Sequence, residues 1–594
     1  MSAALRLGGR LPAVVRYALL ALAGMLQAFS IAWPWGEKNA SGTLQIVTLA
    51  AALWLMTADS QIAASGADAA PASARQRFWQ GFRRGWCFTA AWLAATVWWL
   101  YVSLHVYGGL PAWLAALAVL LLAAALSLYY TLACGLWLRL RKKQGQEIGA
   151  VRQVLLFAAL WLLAELCRGV LFTGFPWGAI GYAHVDGWLA GYAPWLGVYG
   201  MSALAAGASA VVWQLPQSIK QLYLRISVGQ GAGASGRFAS WGAVAIAGVF
   251  AAVLLMGGWH KQTWGSKLQP LATGNGLSVA LLQGNIPQEE KFQPNSGVEL
   301  ALDWYGQQMI ASRADLLVLP ETALPMLPQQ LPDGYWQALQ QRFARGGQTV
   351  LMGTPAGDMQ AGYANAAVGM AAGGVQTVGN GAASGAAGFA QQADFYLPPA
   401  QQAEYRYAKH HLVPFGEFIP WGFQWFVNML NMPLGSFQRG ALVQPRLLVQ
   451  GERLQPNICY EDLFGEELAA SFIDAATAPT ILVNMSNIAW FGDTVAIDQH
   501  RNISRMRAME LARPMLRATN TGATAVIDAT GQVVQELPRL TRGVLEASVK
   551  GNHARPTFFA WWAARWGLWP LWLLGLASAA CAVWAWPGRK RIKA

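Results

Sequence analysis

The sequence predicts a membrane α-helical bundle of eight transmembrane helices that carries one α/β domain on a single side of the bilayer. Three observations predict it. Of 594 residues, 55% are hydrophobic and only 12% charged, too little charge to cover a soluble protein of this length. Eight apolar runs long enough to cross a bilayer are joined by loops that alternate between basic and nearly uncharged. One long segment, 268–560, breaks the pattern with short apolar runs typical of buried strands.

The runs fall at 12–33, 42–59, 85–106, 112–138, 153–173, 193–215, 238–258 and 565–586. Arg6, Arg10 and Arg16 flank the first, and Arg75, Arg77, Arg83 and Arg84 precede the third. Arg139, Arg141, Lys142, Lys143 and Arg152 join the fourth to the fifth. Lys220, Arg225 and Arg237 join the sixth to the seventh, and Arg589, Lys590, Arg591 and Lys593 follow the eighth. The alternate short loops hold almost no Lys or Arg, Lys38 excepted. By the positive-inside rule both termini are cytoplasmic and 268–560 faces outward. The first run is too long for a signal-peptide core and no A-x-A site follows it, so it reads as an anchor. Topology thus accounts for the net charge of +13, and no nucleic-acid motif accompanies it. Many of the 30 Trp sit at the ends of the runs, where amphipathic rings favour the headgroup layer.

The chain therefore divides into a seven-helix part (1–260), an outer domain (268–560) and a last helix with a basic tail (563–594). In the outer domain 277–285, 314–322, 349–355, 447–461, 479–487 and 522–534 read as strands; 295–312, 334–345 and 495–517 read as helices. The Gly/Ala-rich stretch 366–391 lacks the GK[ST] of a phosphate loop and reads as a flexible insertion without function of its own.

Five cysteines, with no CxxC and no metal spacing, argue against a disulfide framework or a metal site. Cys87, Cys134, Cys167 and Cys581 fall within apolar runs; only Cys459 lies in the polar part. It ends a strand-like run and precedes a helical one, the geometry of a nucleophile on a sharp turn. A helix N-terminus there is expected to lower the thiol pKa and to offer oxyanion donors. Taken singly, such residues are usually bland: a lone cysteine as a small buried hydrophobe, Glu321 as a loop carboxylate, Lys409 as a solvated lysine. His410 and His411 raise a Cys–His pair or a metal site, but no second ligand pair supports a metal. Glu165 and Arg168, three residues apart in the fifth run, read as a mutual ion pair or as a contact to a headgroup or to the domain above.

The combination changes these odds. LPET with Glu321, YAKHHLVPFGEFIP with Lys409 and Glu417, and ICYED with Cys459 resemble, in order, the Glu-Lys-Cys triad of the nitrilase superfamily. LLQGNIPQEEK (281–291), NIAWFGD (487–493), RMRAMELARPMLRATNTG (505–522), ELCRGVLFTGFPWGAIGY (165–182) and GYAPWLGVYG (191–200) are similar to the apolipoprotein N-acyltransferase family, its membrane-embedded branch. That resemblance covers nearly the whole chain.

It implies a nitrilase-type α-β-β-α sandwich in the periplasm of a bacterial inner membrane. Glu321 is then the general base, Cys459 the nucleophile that forms a thioester, and Lys409, with a backbone N–H near Tyr460, the oxyanion stabiliser. Glu417 is an additional carboxylate, and Tyr460 and Glu461 shape the pocket. Phe292 stands where better-known members have Trp; with Trp177, Trp490 and Phe491 it is a possible substrate contact. The implied partners are a phospholipid donor, phosphatidylethanolamine, and an apolipoprotein acceptor, acting on a monomer without cofactor or metal. The alternatives are a membrane-tethered nitrilase-type amidase and, outside catalysis, a transporter or scaffold with an inert outer domain.

Overall fold

A computed structural model describes residues 12–35, 39–62, 72–143, 146–227, 248, 250–263, 276–358, 362–372, 374–378, 405–427 and 437–584. In the apolar part α1 (Ala13–Ala28), α2 (Gly42–Ile62), α3 (Ala74–Thr96), α4 (Ala112–Leu140), α5 (Ala150–Val170) and α6 (Ala193–Ser227) pack together, and residues 250–263 are helical. Ala112–Leu140, Ala150–Thr173 and Trp188–Pro216 are long and apolar enough to cross a bilayer unaided. Two further runs qualify as bent pairs, Ala74–Thr96 with Leu100–Tyr107 at 61° and Phe558–Trp566 with Trp569–Val583 at 95°; the first two helices are shorter. The expected third run therefore begins eleven residues early, at Ala74, where Ser73 accepts from the Gln76 amide and Gln76 returns the bond as a capping box. Arg77 donates to the Lys142 carbonyl at 3.4 Å, so two of the basic loops lie side by side. Residues 238–247, 249, 585 and 586 of the expected spans, and the tail after them, lie outside the described residues.

The outer domain has two sheets packed face to face. In chain order its strands are β1 (Leu277–Gln283), β2 (Leu316–Val318), β3 (Thr349–Asp358), β4 (Gly362–Ala371), β5 (Gln376–Val378), β6 (Tyr405–Ala408), β7 (Arg446–Val449), β8 (Glu452–Ile458), β9 (Ile481–Ser486), β10 (Met515–Thr519), β11 (Ala525–Ile527), β12 (Val533–Glu536) and β13 (Gly543–Val549). One sheet runs β13-β1-β2-β3-β4-β6, the other β12-β11-β10-β9-β8-β7-β5. The centres are parallel, as with Val279 opposite Leu316 and Asn457 opposite Asn484. Alternation along each strand builds three layers of core. Leu277, Val279 and Leu281 meet Ile481, Val483 and Met485 between the sheets. Ala280 and Leu282 face α7 (Glu299–Ala311) and α8 (Tyr335–Gly346). Leu482, Met515 and Ile527 face α9 (Gly465–Ala469) and α10 (Ala496–Leu511). This last layer continues without a break into the membrane helices, so α10 is sandwiched between a sheet and the bundle. The chain returns to the bundle through α11 (Phe558–Trp566) and α12 (Trp569–Val583).

Three expectations are corrected. The run 495–517 is not one helix: α10 stops at Leu511, Ala512 takes φ +50, and Pro514 cannot continue it, so Met515–Thr519 becomes a central strand. The run 447–461 is a hairpin turned at Gln450 and Gly451, both at positive φ. The Gly/Ala-rich stretch begins as structure, since 366–371 completes β4 in a ten-residue register with β3 and Gln376–Val378 is an edge strand; 379–391 lie outside the described residues.

Candidate active site

The chemistry-bearing residues converge where strands of both sheets end, the usual crevice of open α/β sheets. Cys459 follows the last residue of β8 and starts a 3-10 turn, Cys459–Leu463. Its φ is +52, a conformation a non-glycine residue keeps only when its surroundings hold it. Glu461 supplies part of that hold: its carboxylate accepts from the backbone N–H of Ile458 (2.6 Å) and His410 (2.6 Å) and from the Tyr407 hydroxyl (3.0 Å). It thereby ties the Cys459 turn to the Lys409 segment. Burial pushes its carboxyl up to about 7.

Glu321 lies beyond β2, directly after Pro320. Its Oε1 accepts from Asn365 Nδ2 (2.7 Å) and Lys409 Nζ (3.3 Å), and Oε2 from the Asn487 amide (2.9 Å). Glu417 accepts from the same two donors, each at 2.9 Å, and from the Val413 amide. One ammonium and one side-chain amide thus bridge two buried carboxylates. Burial raises the Glu321 carboxyl, but the Lys409 charge, the Asn365 bond, the Lys291 charge and the Asn487 N–H outweigh it, so it is held below the ordinary carboxylate range. Burial would lower Lys409, yet Glu321 and Glu417 carry it far above normal.

Against expectation, the Cys459 thiol is pushed up, by burial first and then by Glu321; Lys409 and the Asn487 amide oppose this without prevailing. The resting state is thiol beside carboxylate. Glu321, held low, stands as an ionised carboxylate that can accept a proton.

Several members were not singled out from the sequence. Lys291 is buried and donates to the Glu321 carbonyl (3.1 Å) and Thr322 Oγ1 (2.7 Å), and burial lowers it to about 8. Asn365, Asn487 and Gly353 also belong. A Cβ on Gly353 would come within 2.3 Å of the Pro320 oxygen and 2.8 Å of Glu321 Cα, so only glycine lets β3 pass beneath Glu321. Lys291 and Asn487 sat inside recognisable motifs; Asn365 carried no signal beyond its place in a strand.

Neither neighbouring histidine pairs with the thiol. His410 Nδ1 faces the Gly440 carbonyl, and His411 bonds Glu467 and the Thr173 carbonyl while stacking on Phe464 at 3.5 Å. With the Tyr460 hydroxyl on the Gly174 carbonyl (2.9 Å), His411 fastens the site to the loop after α5. Glu165 and Arg168 are fully buried and paired at 2.9 Å, and Arg168 donates to the Phe175 and Trp177 carbonyls, each at 2.6 Å. They shape that loop from beneath and do not face outward. Trp177 and Trp99 both donate to Gln499 Oε1, and Phe491 packs 4.2 Å from Trp99. Trp490 lies against Tyr107, and Phe292 is 44% exposed beside Lys291. Trp99, Trp177 and Phe491 thus form one aromatic contact between the apolar helices and the sheet domain.

Two family models match the chain: apolipoprotein N-acyltransferase N-terminal domain over residues 44–211 and carbon-nitrogen hydrolase over 278–557. A protein of Verminephrobacter eiseniae named apolipoprotein N-acyltransferase is 47% identical over 560 residues, 92% of each chain. Those so named in Ralstonia nicotianae and Bordetella bronchiseptica are 44% identical over 476 residues (80% of each chain) and 39% over 570 residues (91% of this chain, 93% of that one). A solved amidase from Nesterenkonia sp. aligns with 49% of this chain and 95% of its own, at 17% identity and a TM-score of 0.32, too low to carry an argument.

Proposed function

This chain belongs to the apolipoprotein N-acyltransferase family, and we propose that it performs the family reaction through a thioester on Cys459. It is a membrane acyltransferase of lipoprotein biosynthesis that takes an acyl chain from a phospholipid. The finer reading is a two-step exchange. In the first step Glu321 removes the Cys459 proton and the thiolate attacks the sn-1 ester carbonyl of phosphatidylethanolamine. Lys409 Nζ–H and the Tyr460 N–H hold the oxyanion. Collapse breaks the ester bond, and the lysophospholipid oxygen takes the proton from Glu321 as it leaves. In the second step the free α-amine of a diacylglyceryl-cysteine attacks the thioester and gives its proton to Glu321. Collapse expels the sulfur, which recovers that proton. Glu417 keeps Lys409 charged and in place.

The bridge of Lys409 between Glu321 and Glu417 beside Cys459 carries this reading. A thioester yields to water or to an amine, and the setting decides which. Burial of acyl chains is worth about 0.8 kcal/mol per methylene, so a site at a bilayer meets phospholipid at high local concentration, and exclusion of water favours the amine. The architecture we propose is eight crossings, with a seven-helix part (1–260), a periplasmic catalytic domain (268–560), a last helix (563–594), cytoplasmic termini and a monomeric enzyme. The three helices long and apolar enough to cross a bilayer, the two bent pairs and the shorter apolar helices support it, as does the charge alternation of the loops.

Intact-mass measurement of protein incubated with phospholipid tests the chemistry. The expected result is an adduct of one fatty acyl group that hydroxylamine removes, absent from Cys459→Ser. An adduct that survives in Cys459→Ser overturns the assignment.

A further inference from the structure

Cys459 and Tyr460 share one peptide unit. Its N–H is the backbone donor assigned above to the acyl oxygen. Its C=O points the opposite way, because a trans peptide is planar. Whatever fixes that oxygen therefore fixes the donor. As the second amide of a 3-10 turn, the Tyr460 N–H also has no acceptor within the turn, which leaves it available to a substrate.

Outside the turn, His500 faces the oxygen, with its Nε2 3.2 Å away. Its Nδ1 lies 2.8 Å from an Arg517 guanidinium nitrogen. A guanidinium only donates, so Nδ1 must be the bare acceptor and Nε2 must carry the proton that reaches the Cys459 carbonyl. Burial, and after it the Arg517 charge, hold the imidazole far below its ordinary pKa, so the ring stays a neutral donor. Arg517 is itself fixed by Ser504 Oγ (2.6 Å), Asn484 Oδ1 (3.1 Å) and the Ala523 carbonyl (3.0 Å), and Ser504 bonds Asp462 in the same turn as the nucleophile. The face of the ring stacks on Trp177, with centroids 5.4 Å apart and planes at 17°. His500 is thus clamped by its edge in the catalytic domain and by its face against the membrane part.

We infer that His500 is a positioning residue for the oxyanion hole: it holds the Cys459–Tyr460 peptide plane so that the Tyr460 N–H faces the acyl oxygen. At φ +52 the turn stores strain that it releases once the clamp is removed, and the N–H then swings away from the reacting carbonyl. The inference rests on the thioester reading of Cys459.

Two rates on the full-length enzyme in mixed phospholipid micelles test it. One is acyl adduct formation on Cys459 at saturating phospholipid. The other is Cys459 alkylation by iodoacetamide, a displacement at a saturated carbon that develops no oxyanion. His500→Phe keeps the stack and loses both hydrogen bonds; His500→Gln keeps a donor and an acceptor. The expected result is acylation slowed about 10- to 100-fold in His500→Phe with KM little changed, alkylation within about two-fold of wild type, and His500→Gln recovering to within about five-fold. Acylation within about three-fold of wild type overturns the inference, as does alkylation that falls in step with acylation, or a Gln variant no better than Phe. If His500→Phe does not fold, His500→Asn, a methylene shorter than Gln, takes its place against His500→Gln. Wild-type protein that forms no adduct sinks the thioester reading itself. A wild-type adduct with unimpaired variants sinks only the role of His500.

Discussion

Lys409→Met removes the charge of Lys409 while keeping all but one atom of its length, and the structure sets what is lost. The ammonium is 1% exposed and lies 3.3 Å from Glu321 and 2.9 Å from Glu417. At an effective dielectric of about 20, unit charges about 4 Å apart attract by about 4 kcal/mol. Without that attraction two carboxylates share only the Asn365 amide, and one of them retains a proton to higher pH. The Glu321 carboxyl, now held low, is released upward, so the base is protonated where wild type is already active. Loss of one oxyanion donor adds a factor of about 10²–10³. The assay is the rate of acyl-adduct formation by intact mass, taken from pH 5 to pH 9. The expected outcome is a fall of at least about 100-fold at the optimum, with the acid limb displaced to higher pH. A variant within about ten-fold of wild type, or an acid limb that stays in place, refutes the role given to Lys409.

Gly353→Ala drives a methyl into the Pro320 carbonyl and the Glu321 backbone; the expected result is a kcat reduced more than about ten-fold with the thermal midpoint largely kept, measured by acyl transfer and by unfolding in detergent. Arg168→Met leaves Glu165 buried and unpaired and frees the Phe175 and Trp177 carbonyls, at a cost of about 3–5 kcal/mol; the double variant with Glu165→Gln should recover part of it in the same unfolding assay. Burial raises Glu461 to about 7, Glu466 to about 8 and Glu510 to about 7. A carboxyl raised on folding binds protons more tightly folded than unfolded, so its cost appears above the unfolded value near 4.3 and grows as pH rises through the folded one. Thermal midpoints should accordingly decline from pH 5 to pH 8, and Glu466→Gln should flatten that slope.

What the sequence disclosed follows from how local each signal is. Cys459 and Glu321 close or follow apolar runs that read as strands, whereas Lys409 follows the polar YRYA and was marked by the resemblance of its motif alone. The strand Met515–Thr519 was masked because its basic and polar residues, Arg517 among them, read as the tail of a helix; only Arg513 and Pro514 hinted at the break. The strand around Asn365 was hidden by the small residues of β4, whose Gly and Ala pattern resembles a linker although every one of 364–370 is buried. The direction of the thiol shift was misjudged for a different reason. A helix-terminus argument counts nearby amides, whereas burial and the facing Glu321 carboxylate dominate this sulfur. Its neighbour His500 gave no sign, because a partner 41 residues away is invisible to any periodicity.

The placement of α10 has a consequence for biogenesis. Asn502 donates to the Ile31 carbonyl across 471 residues of chain, Gln499 receives the indoles of Trp99 and Trp177, and Glu510 caps the Val198 amide. Those polar groups of the bundle emerge from the ribosome long before their mates are translated. The early hydrophobic half is therefore an open socket during synthesis, closed only when the late helix arrives. Truncation before residue 511 should leave a degradable fragment instead of a dormant anchor.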